Sequence, residues 1–264
     1  AVESIDQRGS MARVHLLIDE LPAYLGFDSS EGIQHHGHQM LGASVENFEA
    51  TWEAQRRGTI PDSYVIEAVI QSTTDPTLAP AGQHTLTLGV QQLPYELADG
   101  KTWDDIKESW TDKVVAELIQ YAPNLDGHIL DRVTITPLDL ERDYLITEGN
   151  IFHGQMYLDQ LFSARPLPAI SSYRTPIGGY YLCGAGMHPG GGVMGAPGHN
   201  AAKVVLADLS GETAPTNGAP RSRSSKGLID KLMETETGRK VGYKVARQPA
   251  FRPLAKLATR RPKR

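Results

Sequence analysis

Gly178 to Leu209 reads GGYYLCGAGMHPGGGVMGAPGHNAAKVVLADL, joining a short apolar stretch, a run of glycines and a helical pattern without interruption. Tyr180 to Cys183 have the β-favouring, apolar character of a buried strand. Gly184, Gly186, Gly190, Gly191 and Gly192 then remove the Cβ atoms that keep main chain away from a planar or phosphorylated group. From Val193 onward Ala, Val and Leu recur at helical spacing, and Lys203 and Asp208 are expected on the outer face. The first turn of such a helix offers unpaired N–H groups and the positive end of a dipole to an electron-rich ligand.

Gly190, Gly192 and Gly195 also satisfy G-x-G-x-x-G, the dinucleotide fingerprint. Its context is wrong for a Rossmann unit, which needs a further parallel strand after the helix and an acidic residue about 20 residues on. Leu209 is followed instead by SGETAPTNGAPRSRSSKG, a linker-like run without an apolar strand. The stretch is therefore expected to close a fold rather than open a βαβ unit.

Outward from it, the composition is that of a globular protein, with 40% hydrophobic and 22% charged residues over 264 positions. No apolar run approaches the length of a membrane span, and no export signal is visible. A single cysteine, Cys183, excludes an internal disulfide framework and a cysteine-based metal site. These features predict a reducing interior compartment, cytoplasmic, or mitochondrial in a eukaryote. The net charge of −5 conceals an asymmetry: residues 211–264 carry +10 and residues 1–210 carry −15. The basic tail, with RSRSSK, TGRK and RRPKR, is expected to be mostly disordered. It is either a solvated extension or an arm for nucleic acid, anionic membrane or the acidic body.

In the body, residues 12–18 read as a strand, and Val65 to Ile70 and His84 to Val90 as two more. Residues 44–57 predict a helix with Ser44 as cap and Val45, Phe48 and Trp52 on its apolar face, ended by Gly58. Trp103 to Tyr121 predicts a longer helix capped by Thr102, with Ile106, Trp110, Val114 and Leu118 inward. His35, His36 and His38 lie close together, but no cysteine or spaced acidic partner completes a metal site, and none is expected. No G-x-S-x-G elbow is present, Cys183 has no evident activator, and no general base is identifiable.

The closing stretch resembles the C-terminal flavin-contacting signature of the phytoene desaturase and carotenoid oxidoreductase group, in the FAD-dependent amine oxidase-like superfamily. The resemblance rests on Leu182-x-Gly184-Ala185 and His188-Pro189-Gly190-Gly191-Gly192. It extends through Asp75–Pro80, Thr136–Glu141, Gly149–Gly154, Leu158–Phe162 and Arg165-Pro166, covering roughly residues 12–209. It implies an α/β fold: an α+β substrate domain plus the closing strand-loop-helix of an FAD-binding domain, with the N-terminal Rossmann half absent. It also implies residues 1–148 as mainly substrate-binding, built on a mixed sheet with helices, and 149–210 as the C-terminal FAD-binding segment. By the same resemblance FAD is the cofactor, with Gly184, Ala185 and Gly186 against its ribityl and phosphate part. The amides of Val193 and Met194 then face the pyrimidine end of the ring, and His188, Pro189, Gly191 and Gly192 form the connecting loop. The implied activity is hydride or hydrogen abstraction from an apolar or polyene-like small molecule. The missing N-terminal FAD-binding half would be a partner, on the same or a separate chain. The alternative is a non-catalytic scaffold or regulatory interaction protein that keeps the flavoprotein fold.

Overall fold

The computed structural model describes residues 2–27 and 32–211. The expectation of a disordered basic tail concerns residues 212–264, outside the described residues. The chain divides into two compact units, one up to Leu161 and one from Phe162.

The first unit is built on a five-stranded sheet. Its strands are β1 (Ser10–Ile18), β2 (Gln39–Leu41), β3 (Ile66–Ile70), β4 (His84–Leu93) and β5 (Ile129–Ile135), in the order β2-β3-β4-β1-β5. Every pairing is antiparallel, where the family resemblance implied a mixed sheet. The reason is topological. β4 and β5 run the same way and are joined through a helix, as a crossover requires, but β1 fills the gap between them. Alternation along β1 buries Ala12, Val14, Leu16 and Ile18, opposite Leu86, Leu88 and Val90 of β4.

Helix α2 (Trp103–Tyr121) covers that apolar face with Trp103, Trp110, Val114 and Leu118. Its start is fixed by a capping box between Thr102 and Asp105, and the Trp103 indole donates to the Pro94 carbonyl at 3.0 Å. Trp103 and Trp110 meet edge to face with centroids 5.3 Å apart. Buried Glu117 is satisfied by the Tyr64 amide at 3.1 Å and the Ser63 hydroxyl at 3.2 Å.

Helix α1 (Val45–Arg56) has Ser44 as its cap, with the Asn47 amide donating to Ser44 Oγ at 3.1 Å. Its orientation reverses the one predicted. Val45, Phe48 and Trp52 are exposed, and Thr51 and Ala54 are buried. The small face lets the helix come close enough for the Gln55 amide to reach the Leu93 carbonyl at 3.2 Å. On the outside, Arg56 lies over the Trp52 ring at 4.7 Å. A short helix, α3 (Pro137–Tyr144), carries a second capping box, Thr136 with Asp139.

The Gly149–Gly154 loop belongs to the first unit. Asn150 is buried and donates to the Gln7 carbonyl at 2.9 Å, and the Gln155 amide donates to the Asp6 carbonyl at 2.8 Å. Of the histidine cluster, His35 is buried with Nε2 2.8 Å from the Pro22 carbonyl, whereas His36 and His38 are exposed. Among the described residues no group of three or more His, Cys, Asp or Glu is placed to hold a metal ion, and no helix is long and apolar enough to cross a membrane.

Candidate functional site

The glycine-rich stretch lies in the second unit, whose regular element is helix α4 (Ala196–Ser210). Tyr180 to Cys183 do not form the predicted buried strand. Tyr181 makes one isolated bridge with Arg174, and Tyr180 and Cys183 are exposed. These residues form the second arm of a tight hairpin, closed by the Leu182 amide on the Tyr173 carbonyl at 2.9 Å and turned at Gly179, whose φ is 77°.

What holds the hairpin is polar. Asp208 of α4 receives Arg174 Nε and Nη2, each at 2.8 Å, and the Tyr181 hydroxyl at 2.9 Å. The Arg174 hydrogen bond holds the Asp208 carboxyl below its ordinary range, against the opposing effect of burial. Asp208 therefore faces a partner, not solvent as the helical spacing had implied. Behind the clamp, Tyr173, Met187 and Ala201 form a small core with Leu182 and Val204 packed on it.

The loop is wrapped around Met187. Its amide donates to the Gly184 carbonyl at 3.0 Å, and the Gly190 amide donates to the Met187 carbonyl at 2.7 Å. Arg165, only 2% exposed, donates through Nη2 to the Ala185 carbonyl at 3.0 Å. Burial draws its pKa down. At His188 the carbonyl accepts from the Tyr173 hydroxyl at 2.7 Å, which itself accepts from Asn200 Nδ2 at 2.9 Å. The His188 ring lies against Phe162 with centroids 5.7 Å apart, and its buried Nδ1 has no hydrogen-bond partner among the described residues.

Past Pro189, Gly191 is half-buried, and beyond it the chain surfaces. Gly192, Val193 and Met194 are exposed, and Val193 has a left-handed φ of 56°. Gly195, with φ 68°, is the N-cap of α4, and Pro197 stands in its first turn. The helix therefore starts at Ala196 and not at Val193. A left-handed glycine breaks the backbone path, and proline suits the first turn. The amides of Val193 and Met194 precede that turn, and Pro197 has no N–H to present. Bare main chain is nevertheless offered as expected. A Cβ added at Gly184, Gly195 or Gly198 would meet no heavy atom within 4 Å, and one at Gly192 would meet only Met194 Cε, at 3.3 Å.

The structure thus gathers Gly184, Ala185, Gly186, His188, Pro189, Gly191, Gly192, Val193 and Met194 into one loop leading to the start of α4. His153 is an exposed residue of the first unit with φ 55°. Sequence reasoning missed the Arg174–Asp208–Tyr181 clamp and the Tyr173–Asn200 pair that supports His188. No spacing rule links residues 34 apart, and only the Arg165-Pro166 likeness marked any of the supporting side chains.

No protein-family model matches the chain. It is similar to pyridine nucleotide-disulfide oxidoreductase domain-containing protein 2 of Mus musculus, 42% identical over 215 residues, which is 79% of this chain and 37% of the mouse protein. It is also similar to one of the subunits of limonene dehydrogenase from Castellaniella defragrans, 35% identical over 119 residues, covering 44% of this chain and 22% of that one. A lycopene-forming phytoene desaturase of a Paracoccus species is 31% identical over 147 residues, 52% of this chain and 27% of its own length. The chain spans little more than a third of the length of the mouse relative.

Proposed function

We propose, from the likeness to these relatives, that the chain forms the substrate-binding and ring-contacting part of an FAD-dependent oxidoreductase. The observation that carries this reading is the exposed main chain of Gly184, Gly195 and Gly198, where side chains would stand in open space. Backbone can be approached closely by a planar or phosphorylated group only where Cβ atoms are absent.

The surroundings fit such a group. The first amides of α4, at Ala196 and Gly198, carry the positive end of the helix dipole. His188 supplies a buried ring nitrogen with no protein partner among the described residues. Arg165 and Tyr173 hold the loop backbone from behind, so its shape is set before any ligand arrives. In this reading Gly184, Ala185 and Gly186 lie along the ribityl and phosphate part, and His188 to Met194 border the ring. When bound, FAD supplies the acceptor for a hydride or hydrogen from an apolar or polyene-like small molecule. The protein contributes position, and amide dipoles that stabilise negative charge developing at the ligand edge nearest α4. The greater length of the relatives supports a further proposal, that the pyrophosphate and adenosine are held by another segment, on the same or a separate chain.

Visible absorption tests the reading. Joined to the FAD-binding segment from its own locus, the chain is expected to show the flavin band, and Gly184→Trp to remove it with the far-UV circular dichroism unchanged. The 264-residue chain alone is expected to hold no FAD tightly. A colourless joined protein would overturn the proposal and favour a non-catalytic scaffold, whose partner binding should survive Gly191→Trp.

A further inference from the structure

The first unit contains a cavity of about 490 Å³ between the end of α1, the Pro94–Ala98 segment and the Thr147–Tyr157 segment. Its polar lining comes from Gln55, Tyr95, Glu96, Glu148, Gln155 and Tyr157 together with Arg8, Arg56 and Arg57. That volume is within the range of small-molecule sites.

Its charges are unequally answered. Arg8 is paired with Asp6 at 2.6 Å, and Arg56 and Arg57 both reach Glu53, at 3.1 and 4.0 Å. The arginine side chains are 74%, 55% and 64% exposed, so their charges stand largely in water. Neither Glu96 nor Glu148 has an ion-pair partner within 4 Å among the described residues. Glu148 is the more enclosed, and its carboxyl is held above the ordinary range by burial, then by Glu96, Asp6 and Glu141, with Arg8 acting weakly the other way.

The wall that carries Glu148 is rigid. Its amide donates to Glu141 Oε1 at 3.0 Å, and the Tyr95 hydroxyl donates to the other oxygen of the same carboxylate. Glu148 itself is left-handed, with φ 50°, and Gly149 follows where a Cβ would stand 2.6 Å from the Pro137 carbonyl oxygen. The turn is therefore held by the Glu148 backbone, leaving its carboxylate to face the cavity. At Gly9 the absent side chain leaves room for two carboxamides, with Gln155 Nε2 2.0 Å and Gln55 Nε2 3.1 Å from where a Cβ would be. The lining thus combines two carboxylates without ion pairs, two phenol rings, two amides and three arginines whose charges are answered by Asp6 and Glu53. Carboxylates attract an ammonium group, and tyrosine faces favour a cation over an anion.

We propose that this cavity binds a small organic ammonium compound with an apolar stem, its charged head between Glu96 and Glu148 and its stem along Tyr95, Tyr157 and Leu97. The proposal does not rest on the flavin reading, because every lining residue lies in the first unit.

Three probes with the same six-carbon stem test it on the full chain by calorimetric titration: hexylammonium chloride, sodium hexanoate and hexanol. Saturable binding is expected for hexylammonium alone. Glu148→Gln and Glu96→Gln should each weaken it about tenfold, the loss of one partly solvated charge contact. Glu148→Gln keeps the backbone hydrogen bond that fixes the turn, so an unchanged melting temperature will show that the fold survives. Glu49→Gln, outside the cavity lining, should leave binding as it was. Binding of hexanoate with none of hexylammonium would assign the site to the arginines and overturn the proposal. Equal binding of all three, or of none, would overturn it too.

Discussion

The two units earn their shape by opposite means. In the first, β1 and β4 bury alternate side chains under Trp103, Trp110, Val114 and Leu118 of α2, in one continuous apolar core. In the second, the buried apolar set is Tyr173, Met187 and Ala201, and the backbone is held by Arg174, Asp208, Arg165 and the Tyr173 hydroxyl. Apolar burial is non-directional and builds a stiff platform. A few directional polar contacts can instead hold main chain in an open shape with glycines facing outward. The difference accounts for why exposed glycine backbone lies in the second unit and most of the packing in the first.

The largest effect that should separate the two units is loss of the aromatic centre. Trp110 stands edge to face with both Trp103 and Tyr64, at 5.3 and 6.1 Å between centroids. Trp110→Ala is expected to cost about 3–5 kcal/mol, the usual range for deleting a large buried aromatic. Urea unfolding should show it as a drop in midpoint. Hydrogen exchange read segment by segment should accelerate across β1, β4 and α2 before it does in α4. A drop in protection confined to α2 would show that the sheet has a core of its own.

Legibility in the sequence followed the same division. Apolar, β-favouring runs located β1, β3 and β4, the last with period-2 alternation, and helical spacing located α2 to the residue, because a core imposes its period on the chain. Spacing failed on α1, where Val45, Phe48 and Trp52 form a good apolar stripe but the helix packs through Thr51 and Ala54. Period alone does not say which face wins when small residues permit closer approach. In the second unit the glycines marked the loop correctly, since their chemistry is local. The supposed strand and the start of α4 were misplaced, because they depend on Asp208 contacting Arg174 and Tyr181 and on the left-handed φ of Gly195. Contacts of that kind leave no periodic trace.

A smaller effect tests a polar knot of the first unit. Asp139 accepts from Lys107 at 2.8 Å and from the Thr136 amide and hydroxyl, each at 2.9 Å, and it also pairs with Arg142. Burial alone would raise its pKa, but Lys107 and Thr136 bring it down to about 2. A depressed carboxylate contributes stability that is present above the unfolded value near 3.8 and is lost as pH falls through the folded one. Allowing for solvent on the Lys107 side, about 1–2 kcal/mol should disappear between those two values. Asp139→Asn should cost about 2–3 kcal/mol at neutral pH, through the broken capping box and the lysine left without its ion-pair partner. It should also flatten the acid limb of the stability profile, and an acid limb unchanged by Asp139→Asn would place that sensitivity on other carboxylates.

The smallest effect belongs to the second unit. Arg174→Ala removes both hydrogen bonds of a half-buried ion pair and leaves Asp208 with the Tyr181 hydroxyl. The expected cost is about 1–2 kcal/mol, since that hydroxyl and water can satisfy part of the carboxylate. Little of this should register in urea unfolding of the sheet. Hydrogen exchange should instead quicken between Tyr173 and Leu182 and at the end of α4, with β1 and β4 unchanged. Asp208 should also lose the larger part of its pKa depression, the Tyr181 hydroxyl keeping the rest, so acid sensitivity of the hairpin, which the clamp confers as pH falls through the folded value, should weaken in the variant. If the hairpin keeps its protection without Arg174, then the Tyr173–Met187 core and not the clamp sets the loop, and the contrast between an apolar unit and a polar one fails at the point where it was drawn most sharply.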